Sequence, residues 1–143
     1  MDHALAIHGL TEQGAAPAAL DAEHAAIESH LRALQAAVMS DASTETVAGI
    51  LDVCIEFCKA HFIHEEGYMD QYRYTELDAH RAAHGSLLEK FQRARAVAAN
   101  WDLITGVLDG FDLLHEFERH VNTCDQPMHE EIQIRLQQQL LVR

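Results

Sequence analysis

Residues 47–69 read VAGILDVCIEFCKAHFIHEEGYM, and one set of positions steps through them by fours and threes: Val47, Leu51, Cys54, Cys58, His61, Glu65 and Met69. That spacing is one face of an α-helix, not the alternation of a half-buried strand. The stripe begins as ordinary core and continues as a histidine and a carboxylate. A core holds such groups only when each is paired, hydrogen-bonded or bound to metal.

The same period extends in both directions. Upstream, Leu20, His24, Ile27, Leu31, Leu34 and Val38 predict a helix over 18–39, which Ser40-Asp41-Ala42-Ser43 separates from the next helix over 44–72. Downstream, Tyr72-Arg73-Tyr74 interrupts, and Thr75 with Asp78 has the spacing of a capping box. The helix it opens carries Leu77, His80, His84, Leu87, Phe91, Ala94 and Ala98 on one face. After a turn near Asn100, Ile104, Val107, Phe111, Leu114 and Val121 mark a fourth helix that ends near Asp125, with Pro127 stopping it and opening a short fifth. Gly9, Gly14 and Pro17 read as an irregular N-terminal arm. Breaks of a few residues make consecutive helices antiparallel neighbours. The expected fold is therefore all-α: an up-down-up-down four-helix bundle over 18–125, with an arm over 1–17 and a helical tail over 126–143.

Composition agrees. A chain of 143 residues with only 7 Gly and 2 Pro is one helix-rich domain. With 23 acidic against 10 basic residues and a formal charge of -13, it would repel a nucleic-acid backbone or an anionic membrane surface. The 3 Cys include no CxxC pair, so reduced thiols are expected, with Cys54 and Cys58 packing on their helix stripe. The first residues lack the pattern of a signal peptide, and no run approaches the roughly 20 apolar residues of a membrane span. The cytoplasm is the expected location.

Histidine is over-represented, with 11 residues against 10 Lys and Arg together. His61 with Glu65, and His80 with His84, are i, i+4 pairs that each present two ligands on one helix face. Depth decides whether they meet. His24 lies early in the first helix, His61 and Glu65 late in the second, His80 and His84 early in the third, and His120 with Asp125 at the end of the fourth. In an up-down-up-down bundle these levels coincide, as a metal site between facing helices requires.

Those residues resemble the hemerythrins, in particular the single-domain bacteriohemerythrins. The resemblance lies in Asp21-x-x-His24-x-x-Ile27, His61-Phe62-x-x-Glu65-Glu66-x-x-Met69, Tyr74 ahead of His80-x-x-x-His84, and His120-x-x-x-x-Asp125. It implies that His80, His84 and His120 hold one iron, His24 and His61 a second, and that Glu65 and Asp125 bridge the two. An oxo or hydroxo bridge between Fe2+/Fe3+ ions completes the set. The first iron is then six-coordinate and the second has an open position for O2. Ile27, Phe62, Phe117 and Val121 are expected to wall that position. Many relatives carry a Trp-Leu pair where this chain has Glu116 and Phe117. If Glu116 faced the pocket it would admit water or protons. Many also have Pro where this chain has Thr75.

The resemblance implies reversible O2 binding for storage, delivery or sensing, with no catalytic residue and no net reaction. The alternatives are a di-iron enzyme reducing peroxide or nitric oxide, and an iron-binding regulatory module. His3, His8, His30, His64, His115 and His129 are left to solvent, with His115 the one that could support His120 from behind. Ile132, Leu136 and Leu140 form an apolar edge that covers the bundle's own flank, or meets a second copy or a partner protein.

Overall fold

A computed structural model describes residues 16–142 of the chain. They form α1 (Ala16–Met39), α2 (Thr44–Gln71), α3 (Leu77–Val97), a 3-10 turn (Ala98–Asn100), α4 (Leu103–His120), a π turn (Val121–Asp125) and α5 (Gln126–Val142). No strand occurs among the described residues. The expected arm falls largely on residues 1–15, outside the described residues, while Ala16 and Pro17 already belong to α1. Proline is compatible with a first turn, where its missing N–H has no intrahelical partner to lose.

The breaks have local causes. Asp41 takes a left-handed φ of 60°, a conformation that Asp tolerates better than most residues, and Ser43 caps α2 by accepting from the Thr46 N–H. Asp102 caps α4 through the Thr105 N–H. The expected capping box at Thr75 does not form. Glu76 occupies the N-cap of α3 without a side-chain bond, and Thr75 turns instead to Glu131 of α5, donating from N (3.1 Å) and Oγ1 (2.8 Å). Arg135 adds bonds to the carbonyls of Tyr72 and Arg73, so α5 clasps the α2–α3 connection.

α1 packs on α2 and α4, and α3 packs on the same two helices. Contacts at both ends orient α1 against α4. A Cβ on Gly106, at the start of α4, would stand 2.7 Å from Val38 Cγ1, and the rings of His24 and Phe117 meet at 6.0 Å at the other end. The stripes expected for the first three helices are the buried faces observed. The stripe expected for the fourth holds in part: Leu114 is buried and Val107 and Val121 pack against the core, but Ile104 is 71% exposed and Phe111 53%. The buried face of α4 is Gly106, Gly110, Leu113, Leu114, Phe117 and His120. Two glycines let α4 approach Val38 and Gln35 of α1 closely, and a count of apolar side chains cannot see them.

Pro127 does not stop the fourth helix. The Gln126 N–H reaches back five residues to the Val121 carbonyl, forming the π turn. That wider turn precedes the proline, whose ring would crowd the carbonyl four residues earlier in a regular helix. The helical path thus continues into α5, which at 17 residues is nearly as long as α4 at 18. Met128 and Ile132 are fully buried with Leu20, Tyr68 and Met69 in a second core cluster, and Leu136 packs against it. The tail therefore covers the bundle's own end, although Leu140 remains 69% exposed. No helix among the described residues is long and apolar enough to cross a membrane.

Candidate metal centre

Along each helix, ligand-type residues separate the two apolar clusters. His61, Glu65, His80, His84, His120 and Asp125 are buried, and the side chain of His24 is 13% exposed. Their donor atoms form two groups in which all atoms lie within 4.8 Å of one another: Glu65, His80, His84, His120 and Asp125, and His24, His61, Glu65 and Asp125. The two groups share both carboxylates.

The carboxylate oxygens divide between the groups. Glu65 Oε1 lies 2.9 Å from His84 Nε2 and 3.0 Å from His80 Nε2, whereas Oε2 lies 3.5 Å from His24 Nε2 and 3.6 Å from His61 Nε2. Asp125 Oδ1 lies 2.8 Å from His80 Nε2 and 3.1 Å from His120 Nε2, and Oδ2 lies 2.9 Å from His24 Nε2. Asp125 follows His120 by five residues, a separation that a regular helix would send to another face. The π turn brings both to one point.

Several of these short approaches lack hydrogen-bond alignment. Nε2 of His24, His61 and His120, Oε2 of Glu65 and Oδ2 of Asp125 are buried without a hydrogen-bond partner. Orphaned donors and acceptors of this kind carry a desolvation cost that a bound cation would offset. Imidazole nitrogens with carboxylate oxygens are a donor set suited to first-row transition metals. The residues fit a metal.

Electrostatics follows from the same contacts. Burial alone would lower the pKa of His24 and His80, but the nearby carboxylates of Asp125 and Glu65 outweigh it and raise them to about 10 and about 9. Burial would raise Glu65 and Asp125, and the surrounding imidazoles instead hold both well below the usual carboxylate range. Without metal, the cluster is a proton-holding network of buried opposite charges.

The residues expected around an open position divide. Phe117 and Val121, with His24, Ala25, Glu28, Glu118 and Asn122, line a cavity of about 340 Å3 between α1 and α4. Arg32 reaches Glu118 (3.4 Å) and Glu28 (3.7 Å) at that cavity. Ile27 and Phe62 are buried in the core and do not line it; Phe62 stacks on His84 with ring centroids 4.0 Å apart. Glu116 lies on the other side of α4, where it meets Lys90 Nζ at 2.8 Å and lines a groove with His120, not the cavity at His24.

Not all of the remaining histidines face solvent. His115 is exposed, while His3 and His8 lie outside the described residues. His30 is half-buried against Phe57 and bonds the Ala26 carbonyl. His129 is half-buried beside Tyr68, where desolvation lowers its pKa. His64 shares the carboxylate of Glu23 with His61, at 2.7 and 2.8 Å. Spacing along the chain does not mark Glu23, although it stands beside His24 and His64 follows His61 by about one turn. Cys54 and Cys58 are buried free thiols, as expected, and Cys124 is also free.

Comparison with known proteins adds one finding. The family described as Hemerythrin HHE cation binding domain matches residues 15–132. No curated protein and no solved structure matches the chain.

Proposed function

The chain belongs to the hemerythrin HHE cation-binding domain family, and we propose that it binds O2 reversibly at two iron ions held by His24, His61, Glu65, His80, His84, His120 and Asp125, for oxygen storage, delivery or sensing. The observation that carries a two-metal reading is the division of the Glu65 and Asp125 oxygens between the two histidine groups. His80, His84 and His120 would hold one ion, His24 and His61 the other, and both carboxylates would serve each. Two irons held there, with an oxo or hydroxo group as the further ligand, would supply the paired Fe(II)/Fe(III) changes that O2 binding needs.

The chain's own residues set where and how a ligand is received. The group containing His24 and His61 has one imidazole fewer than the group of His80, His84 and His120, so it has the free position. The cavity that touches His24 lies on that side. Phe117 and Val121 give it an apolar side next to His24, while Glu28, Glu118 and Asn122 line the rest. Five imidazoles against two carboxylates bring little anionic charge, which favours holding O2 over cleaving it. The Lys90 ion pair draws Glu116 away from the cavity, which supports binding without net reaction over a peroxide- or nitric-oxide-reducing enzyme.

Metal analysis of protein purified from its native host tests the assignment. Two irons per chain are expected, and zinc or a single ion would overturn it.

A further inference from the structure

Among the five imidazoles of the two groups, His61 and His84 are the ones whose Nδ1 meets a carboxylate among the described residues. Glu23 of α1 places Oε1 2.8 Å from His61 Nδ1 and Oε2 2.7 Å from His64 Nδ1, so both its oxygens are engaged across the α1–α2 interface. Glu66 of α2 places Oε2 2.7 Å from His84 Nδ1 and Oε1 3.4 Å from Arg81 Nε, across the α2–α3 interface. An ionised carboxylate only accepts, so each imidazole donates from Nδ1, which turns its Nε2 toward the carboxylates of the shared centre, where His84 Nε2 meets Glu65 Oε1 at 2.9 Å. His61 belongs to one ligand group and His84 to the other.

We propose that Glu23 and Glu66 are positioning residues that act separately on the two metals: Glu23 orients His61 and sets occupancy on the His24/His61 side, and Glu66 orients His84 and sets it on the His80/His84/His120 side. The inference rests on the two-metal reading above. The second anchor of each carboxylate, His64 or Arg81, keeps it from turning away when the imidazole moves. Glu23 supports one of only two imidazoles in its group, and Glu66 one of three, so the His24/His61 side is the more sensitive. Loss of such a supporting carboxylate typically costs on the order of 10–100-fold in metal affinity.

The test is an anaerobic titration of the full-length, metal-free chain with ferrous iron against a competing chelator. In Glu23→Gln, one binding step should weaken about 10–100-fold while the other stays within about twofold. Glu66→Gln should weaken the other step. Adding Glu23→Gln to His61→Ala should cost nothing further, whereas adding it to His84→Ala should cost its full effect. A second readout is proton NMR of the zinc-loaded chain. The wild type should show downfield Nδ1–H signals from His61, His64 and His84, and Glu23→Gln should move those of His61 and His64 and leave that of His84 in place. Equal weakening of both steps by each variant, unchanged affinities, or an unmoved His61 signal would overturn the proposal. Wild-type protein that takes up fewer than two irons would instead contradict the two-metal reading itself, and with it the partition between the carboxylates.

Discussion

Asp125 follows His120 by five residues, yet its Oδ1 lies 3.1 Å from His120 Nε2 because a π turn, not an α turn, joins them. Its other oxygen is 2.9 Å from His24. One irregular turn thereby links the two histidine groups through a single side chain.

Sharing has a consequence for metal content. Glu65 belongs to both groups, whereas His24 belongs to one. Glu65→Ala should lose both ions, leaving well under one iron per chain, and His24→Ala should lose one and keep the other. Elemental analysis after reconstitution reads the difference, and equal losses in the two variants would contradict the shared role of Glu65.

The metal-free cluster makes pH matter. In the folded chain His24 and His80 titrate near 10 and 9, above the value of about 6.5 for free histidine, so their contribution to stability is complete below about pH 6.5 and disappears as pH rises through 9 to 10. Glu65 and Asp125 are shifted down, so their contribution is present above the ordinary carboxylate range and is lost as pH falls through their lowered values. The melting temperature of chelator-stripped protein should therefore fall between pH 7 and pH 10, and metal-loaded protein should fall less. Metal uptake must also displace protons from His24 and His80, so loading at neutral pH should release protons and tighten as pH rises. Melts with and without chelator, and titration in weakly buffered solution, measure both effects.

The α1–α4 contact depends on a missing side chain. A Cβ on Gly106 would stand 2.7 Å from Val38 Cγ1 and 3.1 Å from Trp101 Cε3, and Val38 is stiff at χ1. Gly106→Ala should cost about 1–3 kcal/mol of stability by overpacking, and Val38→Ala should recover part of it. Denaturant midpoints test this. Metal affinity should change little, because Gly106 lies at the end of α4 away from His120.

The cavity wall and Glu116 should differ in their effect on oxidation. Val121→Ala opens the apolar wall beside His24 and should speed loss of the O2-binding form severalfold. Glu116→Leu should leave that rate unchanged, because the carboxylate sits with Lys90 across α4. Stopped-flow and manual absorbance decay after oxygenation compare the two.

Spacing along the chain made three helix faces and the clustered residues His24, His61, Glu65, His80 and His84 legible, because each of those helices buries large side chains at regular intervals; His120 and Asp125 were legible from their depth at the end of the fourth helix and from the motif. Leu20, Leu51 and Phe91 occupy the expected stripes, and His24, His61 and His84 interrupt them at depths that meet in space. The first half of the fourth helix is not legible, because Gly106 and Gly110 form its buried face there, while Ile104 and Phe111 supply an apolar pattern on the exposed one. The π turn was hidden because Pro127 reads as a helix stop, and nothing local says that the backbone widens to accommodate it. Thr75 has capping-box spacing, but Glu131, 56 residues away, takes its hydrogen bonds. The pairing of Glu23 with His61 and His64 is likewise a contact between helices and has no signature in spacing along the chain.

The most direct test of the central claim is the absorption spectrum of the reduced, iron-loaded chain as oxygen is admitted and then removed. Reversible O2 binding predicts near-ultraviolet and visible charge-transfer bands that appear in air, vanish on degassing and return over repeated cycles. A spectrum that does not respond to O2, or one that converts once and never reverses, would contradict it.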